Sequence, residues 1–343
     1  MSAIDLRQIG FTYPGAAEAT LSNLDLRVAD GEAHALLGAS GAGKTTLLNL
    51  LSGILHPTSG HLLFDGEDVS SLSGRARNVA QVFQFPVLYE SLNVAENLAF
   101  PLHNSGVVRK AIDERVDYIC DELGLGQLIR QKPRSLSLFQ KQLVAVGKAL
   151  VRPDVSLVLL DEPLTAVEPR VKWQLRQTLR RVQADLQVTM IYVTHDQTEA
   201  LTFADRVSIL TAGGILQTDT PEVVYQSPQH EFVGHFVGSP GMNFVAADAL
   251  GVDNAQRIGF RPEWAQLSST GQISGTLQRV RVEGAQQGLA AGLMVLATAH
   301  GEVTVRGRLP EAAQRQIGAQ FQVQVMRGVA FSNEQQVGTH EFI

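Results

Sequence analysis

The 343-residue chain has a single cysteine, Cys120. One thiol excludes an internal disulfide framework and a cysteine-rich zinc site, and it suits a reducing compartment. No run of about 18 apolar residues occurs, so no membrane-spanning helix is expected. The first eight residues lack the basic-then-apolar pattern of a secretion signal, which predicts a soluble intracellular protein. An excess of basic residues is missing too. The 28 Lys and Arg stand against 34 Asp and Glu, a net charge of −6, which excludes wholesale electrostatic capture of nucleic acid. Lysine is absent from residues 241–343, where eight Arg balance eight acidic residues. What the chain does have is 44% hydrophobic and 18% charged residues. That is enough to bury the cores of about two domains at roughly 150 residues each.

Over the first 240 or so residues, short aliphatic runs alternate with helical spacing. Ala33 to Leu37, Leu157 to Leu160 and Val188 to Val193 read as strands. Ile112, Val116, Ile119 and Leu123 fall on one face of a helix, with Cys120 beside them as a packing residue. Such alternation predicts an α/β domain with a largely parallel sheet. The texture changes near Ser239-Pro240-Gly241. Beyond it, Gly275 to Glu283, Leu293 to Thr298 and Glu302 to Arg308 alternate at the period of a strand, predicting a small all-β domain over 241–343.

The strongest local signal is Gly38-Ala39-Ser40-Gly41-Ala42-Gly43-Lys44-Thr45-Thr46. It fits G-x-x-x-x-G-K-[ST], the P-loop, and it lies between an apolar strand and an apolar helix as that motif requires. Its glycines let backbone N–H groups turn inward onto phosphate oxygens, and the helix N-terminus adds positive potential. Gly38, Ser40, Gly41, Ala42, Gly43, Lys44, Thr45 and Thr46 are therefore the expected phosphate-binding residues. Lys44 reaches the terminal phosphates and Thr45 ligates Mg²⁺. The aliphatic run 157–160 ends in Asp161-Glu162, a metal-holding carboxylate and a general base for water. His195 follows another such run and is expected to orient that water at the terminal phosphate. Gln84, in Val82-Phe83-Gln84-Phe85, follows an apolar run and is a candidate to contact both metal and water; Tyr13 is a candidate to stack on adenine.

Taken in this order, the pieces resemble the ATPase subunits of ABC transporters over residues 4–240. Tyr13 stands where that family has its adenine-stacking loop, residues 38–46 as Walker A, Gln84 as the Q-loop, residues 157–162 as Walker B, Leu164 to Glu168 as the D-loop and His195 as the switch histidine. Phe236 to Phe244 and Gly259-Phe260-Arg261-Pro262-Glu263 are similar to the junction and tail of the maltose- and glycerol-phosphate-type importers. The resemblance implies a P-loop ATPase domain over residues 1–240 with a helical subdomain at about 87–152. An OB-like, TOBE-type regulatory and dimerisation domain would follow over 241–343. It further implies ATP and Mg²⁺ as cofactors and uptake of a sugar or polyol such as glycerol or its phosphate. The partners it implies are two membrane permeases and a periplasmic binding protein, with no nucleic acid. The implied location is peripheral, on the cytoplasmic face of a prokaryotic inner membrane.

The signature departs from the family's L-S-G-G-Q. Here Ser137, Leu138, Phe139 and Gln140 occupy its place, and both glycines are gone. In the family this loop acts in trans, on the nucleotide held by the other subunit. An intact cradle beside a bulky signature favours pairing with a second, unlike ATPase subunit over a homodimer in which both sites join a good cradle to a poor signature. Two alternatives are a catalytically weak regulatory subunit and an ABC ATPase that works outside transport.

Overall fold

The computed structural model describes residues 2–103, 107–212, 214–286, 289–310 and 317–342. Strands β1 (Ile4–Phe11) and β2 (Leu21–Val28) lead to β3 (Ala33–Gly38), all six residues of which are buried. Helix α1 (Lys44–Ser52) follows directly. Next come β4 (Ser59–Phe64), β5 (Glu67–Asp68), α2 (Gly74–Arg77) and β6 (Val79–Val82). Three helices, α3 (Val94–His103), α4 (Arg109–Leu123) and α5 (Leu138–Leu150), form a helical subdomain. The chain then returns through β7 (Leu157–Asp161), α6 (Pro169–Leu186), β8 (Met190–Thr194), α7 (Gln197–Phe203), β9 (Arg206–Thr211) and β10 (Gly214–Asp219).

The main sheet has the order β10-β9-β3-β8-β7-β6 and is parallel except for the β9–β10 hairpin. A parallel sheet is buried on both faces, which is why its strands read as unbroken aliphatic runs. A second, antiparallel sheet has the order β2-β1-β4-β5. Helix α1 buries Leu47, Leu48, Leu50 and Leu51 against Ile4, Leu6, Leu157 and Leu159. Fully burying each such side chain contributes roughly 1.5–3 kcal/mol. The predicted face of α4 is borne out: Ile112, Val116, Ile119 and Leu123 all enter the helical core. Cys120 lies there too, and burial pushes its thiol up to about 11, so it packs as an apolar residue.

Contacts divide the chain into two units, Met1–Pro221 and Glu222–Ile343. The second contains α8 (Pro221–Gln226, from its second residue), α9 (Glu231–Phe236), β11 (Asn243–Ala246), β12 (Arg257–Phe260) and β13 (Ala265–Ser268). It continues with β14 (Ile273–Gln286), β15 (Leu289–Thr298), β16 (Gly301–Arg308), β17 (Gln320–Val325), β18 (Arg327–Ser332) and β19 (Gln335–Glu341). These strands make two antiparallel sheets, β11-β12-β18-β19 and β13-β17-β14-β15-β16, around Phe260, Leu277, Leu296 and Val323. This is the small β domain expected from the alternating runs.

Sequence texture changes at 240, yet residues 222–240 group with the β unit. The reason is Arg261, whose guanidinium is fully buried and donates to the carbonyls of Tyr225, Gly234 and Val237. Burial lowers its pKa to about 10. An Arg261→Met chain should lose about 3 kcal/mol or more from the second unit, because each stranded carbonyl costs roughly 1–3 kcal/mol. Urea unfolding followed by Trp264 fluorescence, in a Trp173→Phe background, checks this.

Candidate nucleotide-binding site

Strand register builds the site. In the main sheet Leu37 pairs with Thr194, and Val193 pairs with Asp161. The carboxyl ends of β3, β8 and β7 therefore finish side by side, although β3 lies more than a hundred residues from the other two in sequence. The next residues on each strand are the glycine loop, His195 and Glu162. Ligands bind at such carboxyl edges in open α/β sheets.

Between β3 and α1 the loop takes left-handed backbone at Gly41 (φ 82°) and Gly43 (φ 94°). Only glycine adopts this without strain. Gly43 is also the N-cap of α1 and has no side chain to offer, so the helix's first N–H groups face the cleft without a side-chain acceptor. An anion completes such an end. The Lys44 ammonium donates to the carbonyls of Gly38 (2.8 Å) and Ala39 (2.9 Å). Burial lowers its pKa, while Glu162 and Asp161 pull it back up. The same burial, helped by Glu162, raises Asp161, and Lys44 opposes it.

Glu162 has left-handed backbone too (φ 44°), pinned by its N–H donating to Val193 O at 2.9 Å. Its carboxylate lies 3.0 Å from His195 Nδ1 and accepts from Thr165 Oγ1 at 3.1 Å. A cleft of about 530 Å³ joins these groups. Ser40, Gly41, Gly43, Lys44, Thr45 and Thr46 line one wall, and Asp161, Glu162 and His195 another.

Not every predicted residue lines it. Gly38 sits at the strand end, where a Cβ would come 2.4 Å from Leu210 O, and Ala42 packs into the core beneath α1. Tyr13 lies outside the lining as well, with its ring edge-on to Phe11 at 4.8 Å. Its hydroxyl is 3.1 Å from Thr46 Oγ1, which ties it to the end of the cradle. Gln84 is not brought into the cleft lining. The segment carrying it is held by helices instead: Gln142 of α5 donates to Phe83 O, Lys148 of α5 donates to Val87 O, and Asn97 of α3 bonds the backbone of Tyr89.

The model of the ABC transporter family matches residues 21–165. The sn-glycerol-3-phosphate import ATP-binding protein of Chromohalobacter salexigens is 39% identical over 296 residues, 81% of this chain and 80% of that protein. A second protein of that description, from Rhizobium johnstonii, is 40% identical over 275 residues, 78% of this chain and 79% of its own. This chain is an ABC transporter ATP-binding protein. Among solved structures, cbiO1 of Clostridium perfringens, part of the cbiONQ ABC transporter complex, matches with a TM-score of 0.61 and 27% identity. The match covers 64% of this chain and 89% of that one.

In this ABC ATPase the altered signature folds differently from what bulk alone suggests. Ser137 is the N-cap of α5, in a reciprocal capping box with Gln140: Ser137 N–H donates to Gln140 Oε1 (2.9 Å), and Gln140 N–H donates to Ser137 Oγ (3.3 Å). Phe139 is half-buried and packs against the helical core. Leu138 is the residue left outside. Sequence reading missed Thr20 and Val193 in the cleft wall and Thr165 on Glu162. No local pattern marks the first two as lining; Thr165 lies in the D-loop stretch and three residues after a carboxylate at a turn, a spacing that suits such a hydrogen bond.

Proposed function

We propose that this ATPase drives uptake of a small polyol, its phosphate ester or a sugar through two permease subunits fed by an external binding protein. The observation that carries it is the Glu162–His195 pair, 3.0 Å apart, facing the Lys44 cradle across one cleft. The relatives named for glycerol-3-phosphate import support the substrate class. Uptake of labelled glycerol 3-phosphate and of a neutral sugar, in cells with and without this chain, tests it. Uptake that is the same in both cells refutes the transport reading.

The residues divide the work. The α1 N-terminus and Lys44 neutralise phosphate charge. Thr45 and Asp161 supply a hydroxyl and a carboxylate, the hard oxygen donors that suit Mg²⁺. Among the described residues no group of three or more His, Cys, Asp or Glu is arranged to hold a metal ion by itself. The metal would thus rest on these two groups and the phosphates, as Mg²⁺ commonly does. ATP supplies the anhydride bond that is cleaved. Glu162 accepts the proton of the attacking water, and His195 holds Glu162 and the water in line. Tyr13 offers its ring to adenine. Gln84 completes the constellation only by moving toward the cleft on closure.

No described helix is long and apolar enough to cross a membrane. In this reading the permeases hold the chain at the membrane. The exposed Phe83, Phe85, Val87 and Tyr89 offer an apolar contact for them.

The lost signature glycines favour a second, unlike ATPase that completes the site on this chain's cradle. Self-pairing is the other reading, favoured by the intact Ser137 cap and by Phe139 packing half-buried against the core. Full ATPase activity from the chain purified without another ATPase decides for self-pairing. In that case Leu138→Gly should raise turnover severalfold. Phe139→Gly should instead lower the melting temperature, at a cost of about 2–3 kcal/mol from lost burial and a glycine in the helix. Steady-state ATPase assays and thermal melting read the two effects separately.

A further inference from the structure

Glu199, in the first turn of α7, is 2% exposed. A carboxylate removed from water that far is retained only when its oxygens are filled. They are filled from two directions. Oε2 accepts from Tyr192 Oη and from Thr194 Oγ1, each at 3.0 Å; Oε1 accepts from Lys172 Nζ at 3.2 Å. Burial beside Glu199 raises the Tyr192 phenol well above its usual value, so it stays a donor.

These partners flank the reacting groups. Thr194 immediately precedes His195, and its Oγ1 also accepts from the N–H of Asp196, the residue just after it, at 2.9 Å. Asp196 in turn caps α7 through the Glu199 N–H at 3.1 Å. Both chain neighbours of His195 are thereby fixed, although the His195 side chain itself is 55% exposed. Lys172 belongs to α6, the helix entered just after the turn in which Thr165 bonds Glu162. One carboxylate thus links the strand end that presents His195 to the helix that follows Glu162.

We propose that Glu199 is a positioning residue for hydrolysis: it holds Thr194 and Lys172 together and so sets His195 against Glu162. The inference rests on the reading of Glu162 and His195 as the hydrolytic pair. Glutamine at 199 keeps the shape, but it loses the charge that holds Lys172 and turns an acceptor into a donor.

The test uses the chain assembled with its membrane subunits and MgATP as the probe. Glu199→Gln should lower kcat at least tenfold while KM for MgATP stays within twofold. Lys172→Met should lower kcat likewise, and Lys172→Arg should restore it to within threefold of the parent. Should Glu199→Gln fail to assemble, Thr194→Val removes one hydroxyl from the same network and should also lower kcat at constant KM. A kcat within twofold of the parent overturns the proposal, as does a fall in melting temperature with kcat unchanged. Glu162→Gln, run alongside, separates the two claims. If it hydrolyses normally, the hydrolytic pair itself is wrong; if it is inactive while Glu199→Gln is not, only the positioning role falls.

Discussion

A Lys44→Ala chain should neither bind MgATP measurably nor hydrolyse it, with kcat/KM down by on the order of 10²–10³ or more. Two effects add. The variant removes the cation that meets the terminal phosphates. It also frees the carbonyls of Gly38 and Ala39, which Lys44 holds at 2.8 and 2.9 Å, and so loosens the loop that presents the N–H groups. The near-burial of Lys44 sharpens the effect, because a cation shielded from water acts on charge more strongly than an exposed one. Thermal melting gives an independent readout. A hundredfold excess of MgATP over its Kd should stabilise the parent chain by about 2.7 kcal/mol and should leave Lys44→Ala unmoved. A melting shift in the variant equal to that of the parent would refute the cradle.

Glu162→Gln should behave in the opposite way toward binding. Turnover should fall roughly 10²–10⁴-fold, the usual loss when a positioned base is removed, while the MgATP-induced melting shift stays intact. The amide retains the size of the carboxylate and leaves the N–H bond from residue 162 to Val193 O undisturbed, so the loop keeps its shape. It loses the basic oxygen that lies 3.0 Å from His195 Nδ1. Single-turnover hydrolysis in the assembled transporter, with filter binding of labelled ATP, distinguishes a chain that holds its nucleotide from one that never took it up. Hydrolysis at the parent rate would take Glu162 out of the chemistry.

The two variants probe residues of different legibility. Lys44 sits in a nine-residue stretch in which Gly41, Gly43, Lys44 and Thr45 line one cleft together, so the sequence displays the cradle at once. The helical face through Ile112, Val116, Ile119 and Leu123 was similarly plain, because a 3.6-residue period is a local property. Phe139 was not. At position 139 the sequence states only that a large apolar side chain replaced a glycine. Whether it blocks the helix end or fills the core depends on which turn of α5 faces α3 and α4. Gln84 shows the same gap: it follows an apolar run as the family pattern asks, yet it is not in the cleft lining, and Gln142, Lys148 and Asn97 tie its segment to α5 and α3. The β unit likewise reaches back to residue 222 because Arg261 binds carbonyls that no spacing rule connects to it.

By itself, the sequence determined the phosphate cradle, the aliphatic strands ending in Asp161-Glu162 and before His195, and the change from an α/β to an all-β texture. Each follows from residues close together in the chain, whose backbone freedom, period and charge act locally. The tertiary structure alone decided that Glu162 meets His195 at 3.0 Å, that Glu199 joins Thr194 to Lys172, and that Phe139 packs half-buried against the helical core. Those facts depend on the order β3-β8-β7 and on helix packing. Both are chosen by burying the whole set of apolar faces together, so they are written in no single segment.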